Sequence, residues 1–92
     1  MNRYMIEIPH DPSAEACVKV VDTFHDTGAH YLTHADFGCA SGVHKAWLII
    51  EADSAEQARL VAPPYYRTEA KVIQVKHYTH LTTEEIVADH QG

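Results

Sequence analysis

Apolar and polar residues alternate at the start of the chain, a pattern typical of a half-buried β-strand. The alternation runs from Tyr4 to Ile8, and Pro9 closes it. An amphipathic helix then follows, with Asp11 predicted as N-cap and Pro12 as first helical residue, and Gly28 as its end. The apolar stripe predicted to face the core consists of Ala14, Cys17, Val18, Val21 and Phe24.

Two further strands are predicted in the middle of the chain. The segment from Ala29 to Phe37 is rich in residues that favour strands. From Val43 to Glu51, apolar and polar residues alternate before an uninterrupted apolar run, which also predicts a strand. The five residues between them have a glycine at each end, which predicts a hairpin. This loop length pairs Phe37 with Val43 and Asp36 with His44, and it places His34 opposite Ala46 and Leu32 opposite Leu48.

The last third of the chain predicts a helix, a strand and a short terminal helix. Ser54 with Gln57 has the spacing of a capping box, and Pro63-Pro64 ends the helix that it opens. A fourth strand covers Lys71 to Tyr78. Thr82 with Glu85 then predicts a second capped helix.

The predicted order is β-α-β-β-α-β in one domain over residues 1–92. This order resembles the ferredoxin-like proteins, and in particular those small ones that pair sheet to sheet as a dimeric α+β barrel. The resemblance lies in the order of elements over the whole chain. It implies an α+β sandwich in which a four-stranded antiparallel sheet carries its helices on one face. Proteins of this group include isomerases, monooxygenases and metal-binding proteins, so the fold alone does not select a function.

The predicted register divides the hairpin into two faces. The face expected to pack on the helices carries Tyr31, Ala35, Phe37, Val43, Trp47 and Ile49. The opposite face carries Leu32, Leu48 and Ile50 together with His30, His34, Asp36 and His44. An apolar patch of this kind is expected to be covered. We therefore expect a homodimer formed through the face that bears Leu32, Leu48 and Ile50.

A cluster of metal-binding residue types lies in the same segment. On the expected face, His34, Asp36 and His44 converge at one end of the hairpin, with Cys39 in the loop and His30 one step further away. Nitrogen, oxygen and sulfur donors in this arrangement suit a divalent transition metal, and nickel, copper, zinc and iron are all candidates. The sequence therefore predicts a small metal-binding protein.

Two other interpretations of this cluster remain open. The same side chains could perform acid–base chemistry on a small substrate in a sheet-to-sheet cavity, with Asp36 orienting a histidine and Arg67 or Tyr66 holding the ligand. They could also be only the polar lining of a dimer cavity. His10 follows the first strand and is not merged into one site with His77 and His80, because the first and fourth strands are expected to end at opposite ends of the sheet. Whether any of these three histidines joins the cluster stays open. Cys17 is interpreted as a small buried hydrophobic residue.

Composition narrows the possible partners and compartment. Seven basic and thirteen acidic residues give a net charge of −6, which argues against nucleic acid and anionic membranes as partners. The longest uninterrupted apolar run covers only residues 46–50, too short for a membrane span. Two cysteines do not make a disulfide framework, and we expect free thiols in a cytoplasmic protein.

Overall fold

The fold is α+β, with helices and a four-stranded antiparallel open sheet of strand order β2-β3-β1-β4. The structure is a computed structural model and describes residues 1–26, 30 and 32–90, except for the side chain of Thr33. The strands are β1 (Asn2–Pro9), β2 (Asp36–Phe37), β3 (Lys45–Ala52) and β4 (Lys71–Val75). The helices are α1 (Ala14–Asp26), α2 (Ala55–Arg59), α3 (Pro64–Arg67) and α4 (Thr83–Asp89). Single 3-10 turns lie at Leu32–His34, Cys39–Ser41 and His80–Thr82.

The longest strand pairing joins β1 to β3. It runs antiparallel from Asn2 opposite Ala52 to Pro9 opposite Lys45. On its other side β1 pairs with β4, from Arg3 opposite Val75 to Glu7 opposite Lys71. β1 is therefore an interior strand, and Tyr4, Ile6 and Ile8, predicted as one face, are all buried.

The core lies between one face of this sheet and the helices. Val20 and Phe24 of α1, Ala58 of α2 and Tyr66 of α3 belong to a single buried cluster with the strand residues. The strand residues of this cluster are Tyr4, Ile6, Ile8, Ala46, Leu48, Ile50 and Ala52. Burial of each large aliphatic side chain contributes roughly 1.5–3 kcal/mol, so this cluster is the main source of stability.

The predicted second strand is much shorter than expected. Residues 32–34 form a 3-10 turn, and only Asp36 and Phe37 pair with β3. Asp36 lies opposite Trp47 and Phe37 opposite Ala46, so the predicted pairing of Asp36 with His44 is wrong by three residues. The cause is the loop, because residues 39–41 form their own 3-10 turn and the connection extends to His44. Ala29 and Tyr31 lie outside the described residues.

An odd shift of register exchanges the two faces of a strand, and this overturns the predicted faces of β3. Leu48 and Ile50 are buried in the core at 5% and 4% exposure, and Leu32 at 2%. Ile49, predicted in the core, is 54% exposed. The face that bears Leu32, Leu48 and Ile50 is therefore the helix-covered face and is not available to a second copy.

Helices are present where the first, second and terminal helices were predicted, but α2 ends at Arg59, before Pro63-Pro64, and α3, which starts at Pro64, was not predicted. α1 begins at Ala14, and the hydroxyl of Ser13 accepts a hydrogen bond from the Ala16 amide at 3.1 Å, so Ser13 caps it in place of Asp11. Val20 is buried and Val18 is 60% exposed, the reverse of the predicted stripe. Ser54 does cap α2, accepting from the Gln57 amide at 3.1 Å.

The chain end follows the same pattern. A terminal helix is present as α4, but the capping box joins Thr79 to Thr82 and opens the preceding 3-10 turn. Glu85 instead binds the Lys76 ammonium at 3.2 Å. No helix among the described residues is long and apolar enough to cross a membrane.

A small polar network lies on the open face of the sheet, away from the helices. The Trp47 indole N–H donates to the Glu7 carboxylate at 3.1 Å, and the Lys45 ammonium lies 3.5 Å from the same group. The hydrogen bond from Trp47 first, and the charge of Lys45 second, lower the pKa of Glu7 from its ordinary value of 4.5.

We predict that this network makes stability depend on pH in the acidic range. Because the folded-state pKa of Glu7 is lowered, its contribution is complete above pH 4.5 and is lost as the pH falls through the folded-state value. Glu7→Gln should lower the free energy of unfolding by about 1 kcal/mol at pH 7 and flatten its acidic pH dependence. Urea unfolding from pH 7 down to pH 3 measures both effects; an unchanged slope in the variant would contradict the assignment.

Candidate metal centre

The pairing of β1 with β3 brings two histidines together at one end of the sheet, where β1 finishes and β3 begins. Pro9 and Lys45 are the last pair of the ladder, so His10 and His44 are the next residues on each strand. The His10 amide donates to the His44 carbonyl at 3.0 Å. Their rings meet edge to face, with centroids 5.9 Å apart.

Cys17 reaches the same end of the sheet from the first helix. α1 starts four residues after His10, and the Cys17 amide donates to the Ser13 carbonyl at 3.1 Å, which places Cys17 in the first turn. Its thiol is half-buried. The first turn of α1 therefore lies beside the end of β1, which precedes it in the sequence.

Cys39 comes from the turn between β2 and β3. A side chain at Gly38 would meet the Val43 carbonyl at 2.7 Å and the Trp47 ring at 2.8 Å, so only glycine fits there. Gly42 has φ 77°, the left-handed region that favours glycine. The Gly38 carbonyl accepts hydrogen bonds from the Ser41 and Val43 amides, both at 3.0 Å. This closed turn holds Cys39 over the same end of the sheet.

The four side chains meet closely enough to share one ion. The Nε2 atom of His10 lies 3.3 Å from Cys17 Sγ and 3.2 Å from Cys39 Sγ, and the two sulfurs are 3.2 Å apart. His44 Nδ1 is 3.7 Å from Cys17 Sγ. One donor atom from each residue lies within 4.8 Å of all the others. Ligands of a tetrahedral zinc ion lie roughly 3.3–3.8 Å from one another, given bonds of about 2.0–2.3 Å.

The electrostatics of the cluster set the protons that a metal must displace. Burial first, and the neighbouring His44 second, lower the pKa of His10 below its ordinary 6.5, so this imidazole is neutral at pH 7. The hydrogen bond with Cys39, then burial, raise the pKa of Cys17 above its ordinary 9.0. The Nδ1 atom of His10 is buried and has no hydrogen-bond partner among the described residues, whereas Nε2 faces both sulfurs. The free imidazole is thus ready to ligate, and the Cys17 thiol must first lose a proton.

All four residues are half-buried, so the cluster is reachable from solvent. An open cavity of about 520 Å³ adjoins it at His10. The other residues that line this cavity are Pro9, Asp11, Ala16, Lys19, Tyr65, Tyr66 and Glu69. The Lys19 ammonium lies 4.8 Å from the centre of the Tyr65 ring.

The structure brings together two of the five metal ligands predicted from sequence and leaves three outside the cluster. Cys39 and His44 belong to it. His30 and His34 are exposed and stack edge to face on each other, with ring centroids 4.6 Å apart. Asp36 is exposed and lies opposite Trp47. Among the described residues, no group of three or more potential ligands includes these three. Their ligation stays a prediction from sequence.

Sequence reasoning missed His10 and Cys17. The signal for His10 was available, because an antiparallel neighbour of the first strand that begins near His44 must bring its start beside Pro9. The pairing of the first strand with the third, and not the relation of the first to the fourth, determines which histidines meet. Cys17 was assigned to the apolar stripe, which does pass through it; only the fold reveals that a second cysteine faces it.

Other candidates have structural roles. Arg67 donates to the carbonyls of Leu60 and Ala62 at 3.1–3.2 Å, so it secures the chain after α2. Tyr66 is buried in the core. His77 and His80 are exposed, away from the four-residue cluster.

Comparison with known proteins gives no further guide to the site. No protein-family model, no curated protein and no solved structure matches this chain.

Proposed function

We propose that this protein binds a divalent transition metal through His10, Cys17, Cys39 and His44. The observation that carries the proposal is the convergence of four donor atoms, from four separate segments, within 4.8 Å of one another. The hydrogen bonds among these side chains all involve a thiol, which is a weak donor and a weak acceptor. A shared cation explains the arrangement.

The donor set favours zinc. Two thiolates and two imidazoles form the Cys2His2 set of closed tetrahedral zinc sites, and thiolates select zinc or copper over metals that prefer oxygen ligands. The case for iron rested on a carboxylate, and Asp36 is not in the cluster. Four protein ligands leave no open position for a substrate, which favours metal binding over metal catalysis. Acid–base catalysis by Asp36 with His44 has lost its main support, because Asp36 lies opposite Trp47.

We also propose a cytoplasmic location for this function. Cys17 and Cys39 are free thiols 3.2 Å apart. A reducing compartment keeps such a pair reduced and able to bind metal.

The first prediction is stoichiometric metal binding by the untagged protein. Cobalt(II) should give the sulfur-to-metal charge-transfer band and the visible bands of a tetrahedral thiolate site, and zinc should displace it one for one. His10→Ala, Cys17→Ser, Cys39→Ser and His44→Ala should each weaken zinc binding more than about a hundredfold, since outer-shell partners of a metal ligand are already worth about 10–100-fold.

The matched controls are the exposed residues that the sequence had suggested. His30→Ala, His34→Ala and Asp36→Asn should bind cobalt and zinc as the parent does, and circular dichroism checks that every variant is folded. If these three variants lose affinity while His10→Ala and Cys17→Ser do not, the ligand set derived from the sequence is correct and the Cys2His2 set is not. Absence of any stoichiometric metal would refute both.

The second prediction concerns stability. A metal that binds only the folded chain raises the free energy of unfolding by about 2.7 kcal/mol when its free concentration is a hundred times the Kd. Thermal or urea unfolding of the parent should show this rise with zinc, and the rise should disappear in Cys17→Ser. His34→Ala serves as the control and should retain it. Equal stabilisation of Cys17→Ser would show that zinc acts elsewhere.

We further propose that the chain has the ferredoxin-like arrangement and forms a dimeric α+β barrel through the open face of its sheet. The element order and the strand order β2-β3-β1-β4 support the arrangement. The dimer is supported by a row of apolar side chains across this face: Met5 lies opposite both Ile49 and Ile73, which are 54% and 45% exposed.

The charges beside this row favour a second copy as the partner. Arg3 pairs with Glu51 on one side of the row, while Glu7 and Lys45 lie on the other. A second copy turned by 180° about the row places its Glu7 opposite Arg3, and its Trp47 opposite Glu51. The surface is thus complementary to itself, as a twofold interface requires.

The third prediction is that Ile49→Asp makes the protein monomeric. A charge in the middle of the apolar row should weaken the dimer, and sedimentation equilibrium of parent and variant measures the mass. Leu81→Asp, at a residue that is 83% exposed outside this face, is the control and should remain dimeric. A parent that is monomeric at high concentration would refute the dimer without affecting the metal proposal.

A further inference from the structure

We propose that Cys17 and Cys39 also act as a dithiol–disulfide couple, which a hydroperoxide oxidises with release of the metal. The release of metal rests on the proposed function, whereas the formation of the disulfide does not. The cluster would then hold its ion only while the two sulfurs are reduced.

Geometry supplies the first argument. The two sulfurs are 3.2 Å apart, and a disulfide bond of about 2.05 Å requires them to approach by only about 1.2 Å. They come from independent elements, the first turn of α1 and the turn at Cys39–Ser41, so neither is held by the other's backbone. A change in the side-chain torsions of either residue can supply much of this approach.

Access supplies the second argument. Both cysteines are half-buried, so each is partly open to solvent, and Nε2 of His10 lies against both sulfurs. Hydrogen peroxide is little larger than water and can reach such a pair. A fully buried pair would be protected from it, and a fully exposed pair would more readily form bonds between molecules.

The chemistry balances with one hydrogen peroxide for each pair. One thiolate attacks a peroxide oxygen, the O–O bond breaks, and the leaving hydroxide takes a proton to become water. The second thiolate then attacks the resulting sulfenic sulfur, the S–S bond forms, and the second hydroxide leaves as water. The sulfurs lose two electrons and the peroxide gains them. The zinc keeps its charge and loses both thiolate ligands, so only His10 and His44 remain to hold it.

The two histidines are insufficient to retain the ion. A zinc site with tight affinity needs three or four protein ligands, and this one would fall to two. A small thiol or a dithiol reductase would restore the pair by thiol–disulfide exchange, and the site could then be refilled. Oxidation and metal occupancy are thereby coupled and exclude each other.

The test is a titration of zinc-loaded parent protein with hydrogen peroxide in the absence of oxygen. We expect one zinc released, measured with a chromophoric chelator, for each pair of thiols lost. The intact mass should fall by two hydrogen atoms, and dithiothreitol with added zinc should reverse both changes. His34→Ala keeps both thiols and all four donors of the cluster, and it should behave as the parent does.

Each alternative result contradicts a definite part. Separate oxidation of the two thiols to sulfinic acids, seen as added oxygen in the mass, would overturn the couple. A disulfide that forms while zinc stays bound would overturn the link to the metal. The same titration of metal-free protein separates the two proposals: a chain that binds no zinc but still forms the intramolecular disulfide refutes the metal function and keeps the dithiol couple.

Discussion

The antiparallel pairing of β1 with β3 is the constraint on which the rest of the structure depends. It is the longest ladder of the sheet, and its register decides which side chains of both strands face the helices. Ile6 lies opposite Leu48 and Ile8 opposite Ala46, all four of them buried. The end of the same ladder sets His10 beside His44. One pairing thus fixes both the core and half of the candidate metal centre.

The two other donors depend on how the chain leaves these strands. After His10 the chain turns at once into α1. Cys17, in the first turn of that helix, therefore lies close to the end of β1. Before His44 the chain makes the closed turn that Gly38 and Gly42 permit, and Cys39 lies within it. The β1–β3 register is therefore the only long-range pairing that the centre requires, because each cysteine is close in sequence to one of the paired histidines.

The fold class and most element positions could be predicted from the sequence because they follow from periodicity and caps. β1 and α1 show this, since alternation and a 3.6-residue spacing are properties of a short window. The register of β2 against β3 could not, because it depends on whether residues 39–41 form their own turn. That turn depends on the close contact of Gly38 with the Trp47 ring, which no local pattern reveals.

The same error explains why the candidate site was only partly predicted. A shift of three residues separates Asp36 from His44, and of the five predicted ligands only Cys39 and His44 lie in the four-residue cluster. Parity arguments are robust within one strand and fragile across a loop of uncertain length. His10 required no loop at all, only the choice of the correct neighbouring strand. The question of which strand ends meet therefore carries more information about the site than the register across the hairpin loop.

The position of the cluster also suits the distribution of stability in this small chain. The hydrophobic core lies under β1 and along the whole of β3, whereas β2 contributes only two paired residues. The segment that bears Cys39 is thus attached to the sheet by few backbone bonds and little apolar burial. A metal held by His10, Cys17, Cys39 and His44 would join α1, the end of β1, the start of β3 and the turn that bears Cys39.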